Sequence, residues 1–438
     1  MKPVKVGLLG LGTVGGGTVN VLQRNAHEIT RRAGRGIVIN QAAARDLERP
    51  RICDIADMAV TTSPEEVVDN PENEIIVELI GGETLARDLV MRALSQGKHV
   101  VTANKALIAR HGNEIFALAR EKGVIVAFEA AVAGGIPIIK ALREGLAANQ
   151  IEWLAGIING TGNFILTEMR DKSRPFDEVL TEAQWLGYAE ADPTYDVEGI
   201  DAAHKLTILS SIAFGIPLQF DAVYTEGITQ VTREDVRYAE ELGYRIKHLG
   251  FARRTDEGIE VRVHPTLIPE RRLLANVDGV MNAVLVMGDA VGPTLYYGAG
   301  AGPEPTASAV VADLVDVVRA MTSDPDNRVP HLAFQYDALS DHPILPIEEV
   351  VTGYYLRMQA VDKPGVMAAV TRILGDLEIS IEAVIQKEPA EEDPYAKIIM
   401  LTMPVVERSI DQAIERIEAL DSINGQVMRI RVEHLEAN

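Results

Sequence analysis

The densest run of reactive side chains in this 438-residue chain is Gly187-Tyr188-Ala189-Glu190-Ala191-Asp192-Pro193-Thr194-Tyr195-Asp196-Val197-Glu198-Gly199-Ile200-Asp201-Ala202-Ala203-His204-Lys205. Asp201 and Lys205 stand four apart at the start of an apolar helical stretch, DAAHKLTILSSIAFG, so they share one face. The remainder of that stretch is too apolar for a solvated surface element, and a carboxylate and an ammonium on it can face a cleft. An ordinary exposed pair, worth a few tenths of a kcal/mol, has the same spacing. The spacing alone does not choose. Thr102-Ala103-Asn104-Lys105 falls at the carboxyl end of an expected strand, where open α/β sheets bind ligands, although a surface lysine would look no different. Asn159-Gly160-Thr161-Gly162-Asn163 lies between a strand and a helix, where free N–H groups can hold a carboxylate or simply form a cap and turn. His204 neighbours Lys205 but points to another face and reads as structural. Cys53, with only Arg51 near it, reads as inert.

A second kind of chemistry is written in glycines. Gly10-Leu11-Gly12-Thr13-Val14-Gly15 matches G-x-G-x-x-G, directly after a strand and before a helix. Gly10 permits the tight turn, Gly12 lets a pyrophosphate approach the backbone, and Gly15 lets helix and strand pack closely. The helix N-terminus supplies free N–H groups and the positive end of its dipole. The pattern predicts a nicotinamide dinucleotide. At the end of the second strand, Ala42-Ala43-Ala44-Arg45-Asp46 presents Arg45, which can pair with the 2′-phosphate of NADP. A solvated arginine fits equally, so NADP is favoured with NAD possible.

These groups need a frame. Val4–Leu9, Ile37–Ala43, Ile75–Ile80, His99–Thr102 and Val124–Phe128 read as buried strands, alternating with helices at Thr84–Gln96 and Ile108–Lys122 that end near Gly97 and Gly123. Alternation of this kind predicts an α/β architecture, a Rossmann-type doubly wound parallel sheet over residues 1–133. From 134 to 303 the pattern changes to a mixed α+β domain. It has a helix in IPIIKALREGL and strands at Ile151–Ile158, Ile259–Ile268 and Asn282–Tyr297, the last with a turn at Gly288-Asp289. A helix at about 304–320 carries small residues on one face and is expected to return to the first domain. Residues 321–349 read as a linker rich in Asp, Pro, Ser, Asn and His. Residues 350–438 then follow a βαββαβ order, the ferredoxin-like arrangement.

Composition narrows the partners. A net charge of −22 argues against a nucleic-acid backbone. No apolar run reaches the ~18 residues of a membrane helix, so no membrane partner is expected. The single cysteine excludes an internal disulfide framework and fits a reducing compartment. The opening MKPVKVGLLGLG runs straight into a strand, leaving no room for a signal or transit peptide, and a cytoplasmic location is expected.

Over nearly its whole length the chain resembles homoserine dehydrogenase. The strings that carry the resemblance are GLGTVG (10–15), TANK (102–105), FEAAVAGGIP (128–137), NGTGNFIL (159–166), GYAEADPTYDVEGIDAAHK (187–205) and YYGAGAGPEPTASAVVAD (296–313). The C-terminal unit, with DKPGV at 362–366, resembles an ACT domain, a regulatory amino-acid-binding module. The resemblance implies reversible NAD(P)-dependent interconversion of L-aspartate 4-semialdehyde and L-homoserine. It implies Lys205 as general acid/base and Lys105 as a second lysine near the reacting oxygen. Glu190 and Asp201, with Asp196, Gly160 and Thr161, are implied to bind substrate. Gly10, Gly12, Thr13, Val14, Gly15, Arg45, Lys105, Gly187 and Gly302 match cofactor contacts. Glu129, Val132, Gly134 and Ile136 match positions that hold a monovalent cation, usually sodium, largely through main-chain carbonyls. ACT modules usually bind their effector between subunits, which implies a homodimer or homotetramer, and threonine is the expected effector.

The chemistry is consistent with those roles. Hydride arriving at an aldehyde carbon leaves an alkoxide, which needs a proton or a cation, and a partly desolvated lysine can donate one. Aspartate-semialdehyde dehydrogenase, acting on the same aldehyde, would need a thiolate, and Cys53 is misplaced for it. Another NAD(P)-dependent oxidoreductase of amino-acid metabolism stays open. A catalytically silent amino-acid sensor would be expected to lack Lys105 or Lys205, and both are present.

Overall fold

The computed structural model describes residues 2–387 and 395–436. They fall into two compact units, Met1–Gly160 with Asp201–Val223 and Val280–His342, and Thr161–Ile200 with Tyr224–Gly279 and Pro343–Asn438.

The first unit contains a six-stranded parallel sheet built from β1 (Val4–Leu9), β2 (Ile37–Ala43), β3 (Ala59–Thr61), β4 (Ile75–Glu78), β5 (His99–Thr102) and β6 (Val126–Ala127). Its order is β3-β2-β1-β4-β5-β6, doubly wound with β1 and β4 adjacent at the centre. Every residue of β4 and β5 is buried, as a parallel sheet covered on both faces requires. The helix Pro303–Ala320 packs on the helix Thr13–Arg24, with Ala307 and Val310 in the same core as Val6, Leu8 and Val19. Gly17 makes that contact close, since a Cβ there would lie 2.3 Å from the Pro303 carbonyl oxygen. The same unit holds an antiparallel set, Gly292–Ala299 beside Met281–Gly288 beside Ile151–Ile157. The helix expected in IPIIKALREGL is short, Ile138–Lys140, and widens into a π-turn over Ala141–Gly145. Residues 321–342 carry only short 3₁₀ turns, yet they are packed. His331 stacks on Phe116 at 4.8 Å and its Nε2 accepts the Val126 N–H at 3.3 Å, while Leu332 is buried.

In the second unit the βαββαβ order is present, with strands Val351–Val361, Ile381–Lys387, Tyr395–Thr402 and Ile423–Val432 and helices Val366–Asp376 and Glu407–Glu418. Its sheet continues into other strands. Ile423–Val432 pairs in parallel with Ile259–Pro269 through Thr266–Arg431 and Leu267–Val432. Ile259–Pro269 pairs antiparallel over its whole length with Tyr244–Arg254. That last strand has no counterpart in the sequence reading, because Arg245, Lys247 and His248 mask its periodicity. Lys247 and His248 are nonetheless buried.

Candidate active site

Lys105 is the first residue of the helix Lys105–Glu121, capped by Asn104, whose side chain accepts the Leu107 N–H at 3.1 Å. The loop entering that helix is braced from β4. Glu78 accepts the Thr102 hydroxyl at 2.6 Å and the N–H groups of Ile80 and Gly81 at 2.9 and 3.1 Å. Burial raises the Glu78 carboxyl above its ordinary range, against these hydrogen bonds. A cation at the first helical position opposes the helix dipole, so Lys105 costs stability unless an anion meets it.

That anion is Asp201. Its Oδ1 lies 3.1 Å from Lys105 Nζ, and its Oδ2 receives Lys205 Nζ at 2.6 Å and Asn159 Nδ2 at 2.9 Å. Lys205 Nζ also donates to the Ile158 carbonyl at 2.7 Å. One carboxylate therefore bridges two ammonium groups. The spacing did not decide between a cleft-facing and an exposed pair, and the helix Ile200–Phe214 does, because every residue from Asp201 to Phe214 is buried. The side chains of Asp201 and Lys205 are 8% and 11% exposed, whereas Lys105 is 41% exposed, so the cluster is closed at one end and open at the other. Burial alone would push the Asp201 carboxyl up. The charges of Lys205 and Lys105, with hydrogen bonds from Lys205 and Asn159, outweigh it and hold the group well below the usual carboxylate range. His204 turns to a different neighbour, stacking on Phe220 at 4.4 Å, and Phe220 also carries the Arg110 guanidinium 4.3 Å from its ring centre.

The glycine loop fits a dinucleotide. Gly10 has φ of 102°, and a Cβ on Gly15 would lie 2.0 Å from the Gly10 carbonyl oxygen, so neither tolerates a side chain. Gly12 is the N-cap of the helix Thr13–Arg24 and has no side-chain cap, and a Cβ there would meet nothing within 4 Å. Thr13 and Val14 therefore begin a helix whose N-terminus is open to a pyrophosphate. Arg45 is exposed just beyond β2 and has no carboxylate within 4.0 Å among the described residues. Arg51 donates to the carbonyls of Leu11, at 3.1 Å, and Asp46, joining the glycine loop to the turn after β2. Gly302, at φ 129°, is the N-cap of Pro303–Ala320.

The segment from Glu129 to Ile136 suits a cation held by main-chain oxygens. The Glu129 carboxylate is occupied, accepting the N–H groups of Ile139 and Lys140 at 2.9 and 2.8 Å. Its own N–H donates to Asp313 at 2.8 Å. Ala133 and Gly134 both have positive φ, 54° and 50°, which turns successive peptide groups. Val132 and Gly134 are buried, and no hydrogen bond reaches either carbonyl among the described residues. Buried carbonyls without donors are uncommon, and a hard monovalent cation would satisfy them. The Glu129 and Ile136 carbonyls already accept N–H groups from Val132 and Ile138.

In the second unit, Thr161 in the first turn of Gly160–Lys172 donates its hydroxyl to the Tyr188 carbonyl at 2.6 Å. That bond fixes the segment carrying Gly187 and Glu190. Glu190 is exposed, and Asp196 lies in the short helix Thr194–Val197. The structure thus brings Lys105, Asp201 and Lys205 together within the first unit and places Gly187, Glu190, Asp196 and Thr161 in the second. Sequence reasoning missed Asn159, Glu78 and Arg51. Asn159 opens the NGTGN string, but nothing local shows that its amide meets a carboxylate 42 positions away.

Comparison with known proteins identifies the family. Family models match for the NAD-binding domain of homoserine dehydrogenase at residues 10–129, homoserine dehydrogenase at 137–315 and the ACT domain at 354–422. The chain is 70% identical to a homoserine dehydrogenase of Pseudomonas aeruginosa, covering 99% of this chain and 100% of the relative. It is 57% identical to one of Neisseria gonorrhoeae, again over 99% and 100%. A crystal structure of a homoserine dehydrogenase from Thiobacillus denitrificans superposes with a TM-score of 0.95 at 68% identity, covering 100% of this chain and 99% of that one. A hyperthermophilic archaeal homoserine dehydrogenase in complex with NADPH matches at a TM-score of 0.60 and 26% identity, over 72% of this chain and 98% of its own. With family models over more than half of its length and relatives 57% and 70% identical along nearly all of it, the chain belongs to the homoserine dehydrogenase family.

Proposed function

We propose that the chain catalyses the reversible reduction of L-aspartate 4-semialdehyde to L-homoserine with NADP, Lys205 acting as general acid and Lys105 as a second positive charge at the reacting oxygen. The observation that carries this reading is the bridging of Lys105 and Lys205 by Asp201. The bound dinucleotide supplies or accepts hydride. As negative charge develops on the carbonyl oxygen, Lys205 delivers a proton and Lys105 stabilises what charge remains. Asp201 stays ionised throughout the working pH range because both lysines hold it so, and it orients them while contacting substrate. Glu190 and Asp201 receive the substrate ammonium, and Asp196, Gly160 and Thr161 are further substrate contacts.

Gly10, Gly12, Thr13, Val14, Gly15, Gly187 and Gly302 line the dinucleotide, with Arg45 on its 2′-phosphate. Val132 and Gly134, with Glu129 and Ile136, hold a sodium ion. In this reading residues 1–133 with the helix at 304–320 bind cofactor, and residues 134–303 bind substrate and dimerise. Residues 321–349 connect to an ACT domain at 350–438 that binds threonine and slows the enzyme. The assembly is a homodimer or homotetramer in the cytoplasm.

Homoserine oxidation followed by the absorbance of reduced nicotinamide tests the reading, with NAD and with NADP, with and without millimolar threonine. Oxidation of homoserine, faster at equal concentration with NADP, supports it, and no oxidation with either cofactor sinks it. Arg45→Ser should raise the KM for NADP roughly tenfold or more, the size of a lost charge-assisted hydrogen bond, and leave that for NAD unchanged.

A further inference from the structure

Lys247 lies in the middle of the strand Tyr244–Arg254 with its side chain 1% exposed. Burial pulls its ammonium down to about 8, and the charge of Asp278 works against that pull. Three acceptors meet its three protons. The Val277 carbonyl is at 2.6 Å, Asp278 Oδ1 at 3.0 Å and Asn163 Oδ1 at 3.3 Å. Asn163, wholly buried, stands in the first turn of the helix Gly160–Lys172 and turns its amide to the Val277 and Gly279 carbonyls at 3.0 and 2.9 Å. Thr167 accepts the Gly279 N–H at 3.1 Å, and Arg170 pairs with Asp278 at 2.9 Å. Positions 163, 167 and 170 form one stripe of that helix, all fastened to the turn 277–279. Lys247 is the post at the N-terminal end of the stripe.

A buried charge is a poor source of stability, since an apolar side chain of equal volume often does as well. What it gives is a fixed location, because the ammonium demands its acceptors in one arrangement. The turn so fixed contains Gly160 and Thr161, and Thr161 binds the Tyr188 carbonyl two residues before Glu190. From this geometry we infer that Lys247 is a positioning residue for the substrate, acting through Asn163 and the first turn of Gly160–Lys172 and never touching the substrate itself. The inference rests on the proposed role of Thr161 and Glu190 as substrate contacts.

Steady-state kinetics of the full-length enzyme test it. Lys247→Met should raise the KM for L-homoserine at least about tenfold, with kcat within about threefold of wild type and the KM for NADP unmoved. Asn163→Ala should raise the same KM, and the double variant should do no worse than the stronger single one, because both break one linkage. Asp278→Asn, on the more exposed side, should give a smaller rise of about threefold. A purely structural lysine would lower the amount of active enzyme, hence the apparent kcat, and leave KM alone. If Lys247→Met does not accumulate as folded protein, Asn163→Ala and Asp278→Asn decide the question in its place. An unchanged homoserine KM in the folded variants overturns the inference while leaving the functional reading intact. Failure of the wild-type enzyme to oxidise homoserine removes both.

Discussion

Two buried ion clusters in this molecule use similar parts for different ends. In the first unit, Asp201 serves two lysines, and one of them, Lys105, is 41% exposed. In the second, Arg431 serves Glu407 and Glu226, with Arg431 and Glu407 each 1% exposed, and both hydroxyls of Tyr224 and Tyr354 are folded in. The Asp201 cluster has more cations than anions and an open end, so it can receive a further negative charge such as an oxygen gaining electrons. The Arg431 cluster also takes in Arg429, 3.2 Å from Glu407, so two guanidiniums face two carboxylates, and tyrosine hydroxyls occupy further lone pairs and protons. Unbalanced charge facing outward is poised for chemistry, and balanced charge sealed inside is architecture. The sealed cluster stands where Ile423–Val432 of the ACT module meets Ile259–Pro269, and it joins the module to the segment around Tyr224.

The largest expected effect follows from the sealed cluster. Arg431→Met takes from the buried Glu407 its sealed partner, leaving only the Arg429 guanidinium at 3.2 Å, and should cost about 3 kcal/mol of stability, the low end for breaking one side of a buried pair. Urea unfolding followed by circular dichroism would measure it. The comparison breaks if the variant unfolds at the wild-type midpoint. It also breaks if the folded variant loses turnover as Lys205 variants do, since that would make the sealed cluster catalytic.

Next comes the open cluster, with the opposite signature. Lys205→Ala should lower turnover at least ~100-fold, the low end for losing a proton-transfer group, and should lose less stability than Arg431→Met because Lys105, at 3.1 Å, still faces Asp201. Asp201→Asn should lower turnover as well, because both lysines lose the anion that places them. Near-wild-type rates in Lys205→Ala would reject it as the acid and would leave the open end of the cluster without a purpose.

How far the sequence anticipated these clusters depends on where the partners lie. The parallel sheet was legible because β4 and β5 are continuous apolar runs, which only a sheet covered on both faces explains. Asp201 and Lys205 were legible as a pair from their spacing, but whether they faced a cleft was decided by burial contributed by the rest of the first unit. The strand Tyr244–Arg254 was illegible because a buried lysine and histidine look like surface residues until their partners are known. Arg431 was illegible for the same reason, as Glu226 is 205 positions away. Residues satisfied by local neighbours announce themselves, and those satisfied by distant ones do not.

The smallest effect sharpens the comparison by pH. His204 sits beside Lys205 yet is wholly buried, and burial, helped by the nearby Arg110 charge, lowers its imidazole to about 4. In the unfolded chain the same group titrates near 6.5. Between those values the unfolded state holds more protons than the native one, so the stability contribution is complete above about 6.5 and drains away as pH falls toward 4. At pH 5.5 the loss is on the order of 1 kcal/mol for one such histidine. His99, also buried and also lowered to about 4, adds a similar step in the same unit. Urea midpoints at pH 7.5 and 5.5 should therefore differ in the wild type, and His204→Phe, which keeps a ring against Phe220, should lose about one histidine's share of that difference. An identical pH dependence in the variant would mean that His204 takes up its proton at the same pH folded as unfolded, near 6.5. Below that pH it would then add a third cation beside Asp201, and the open cluster would carry more positive charge there than its geometry indicates.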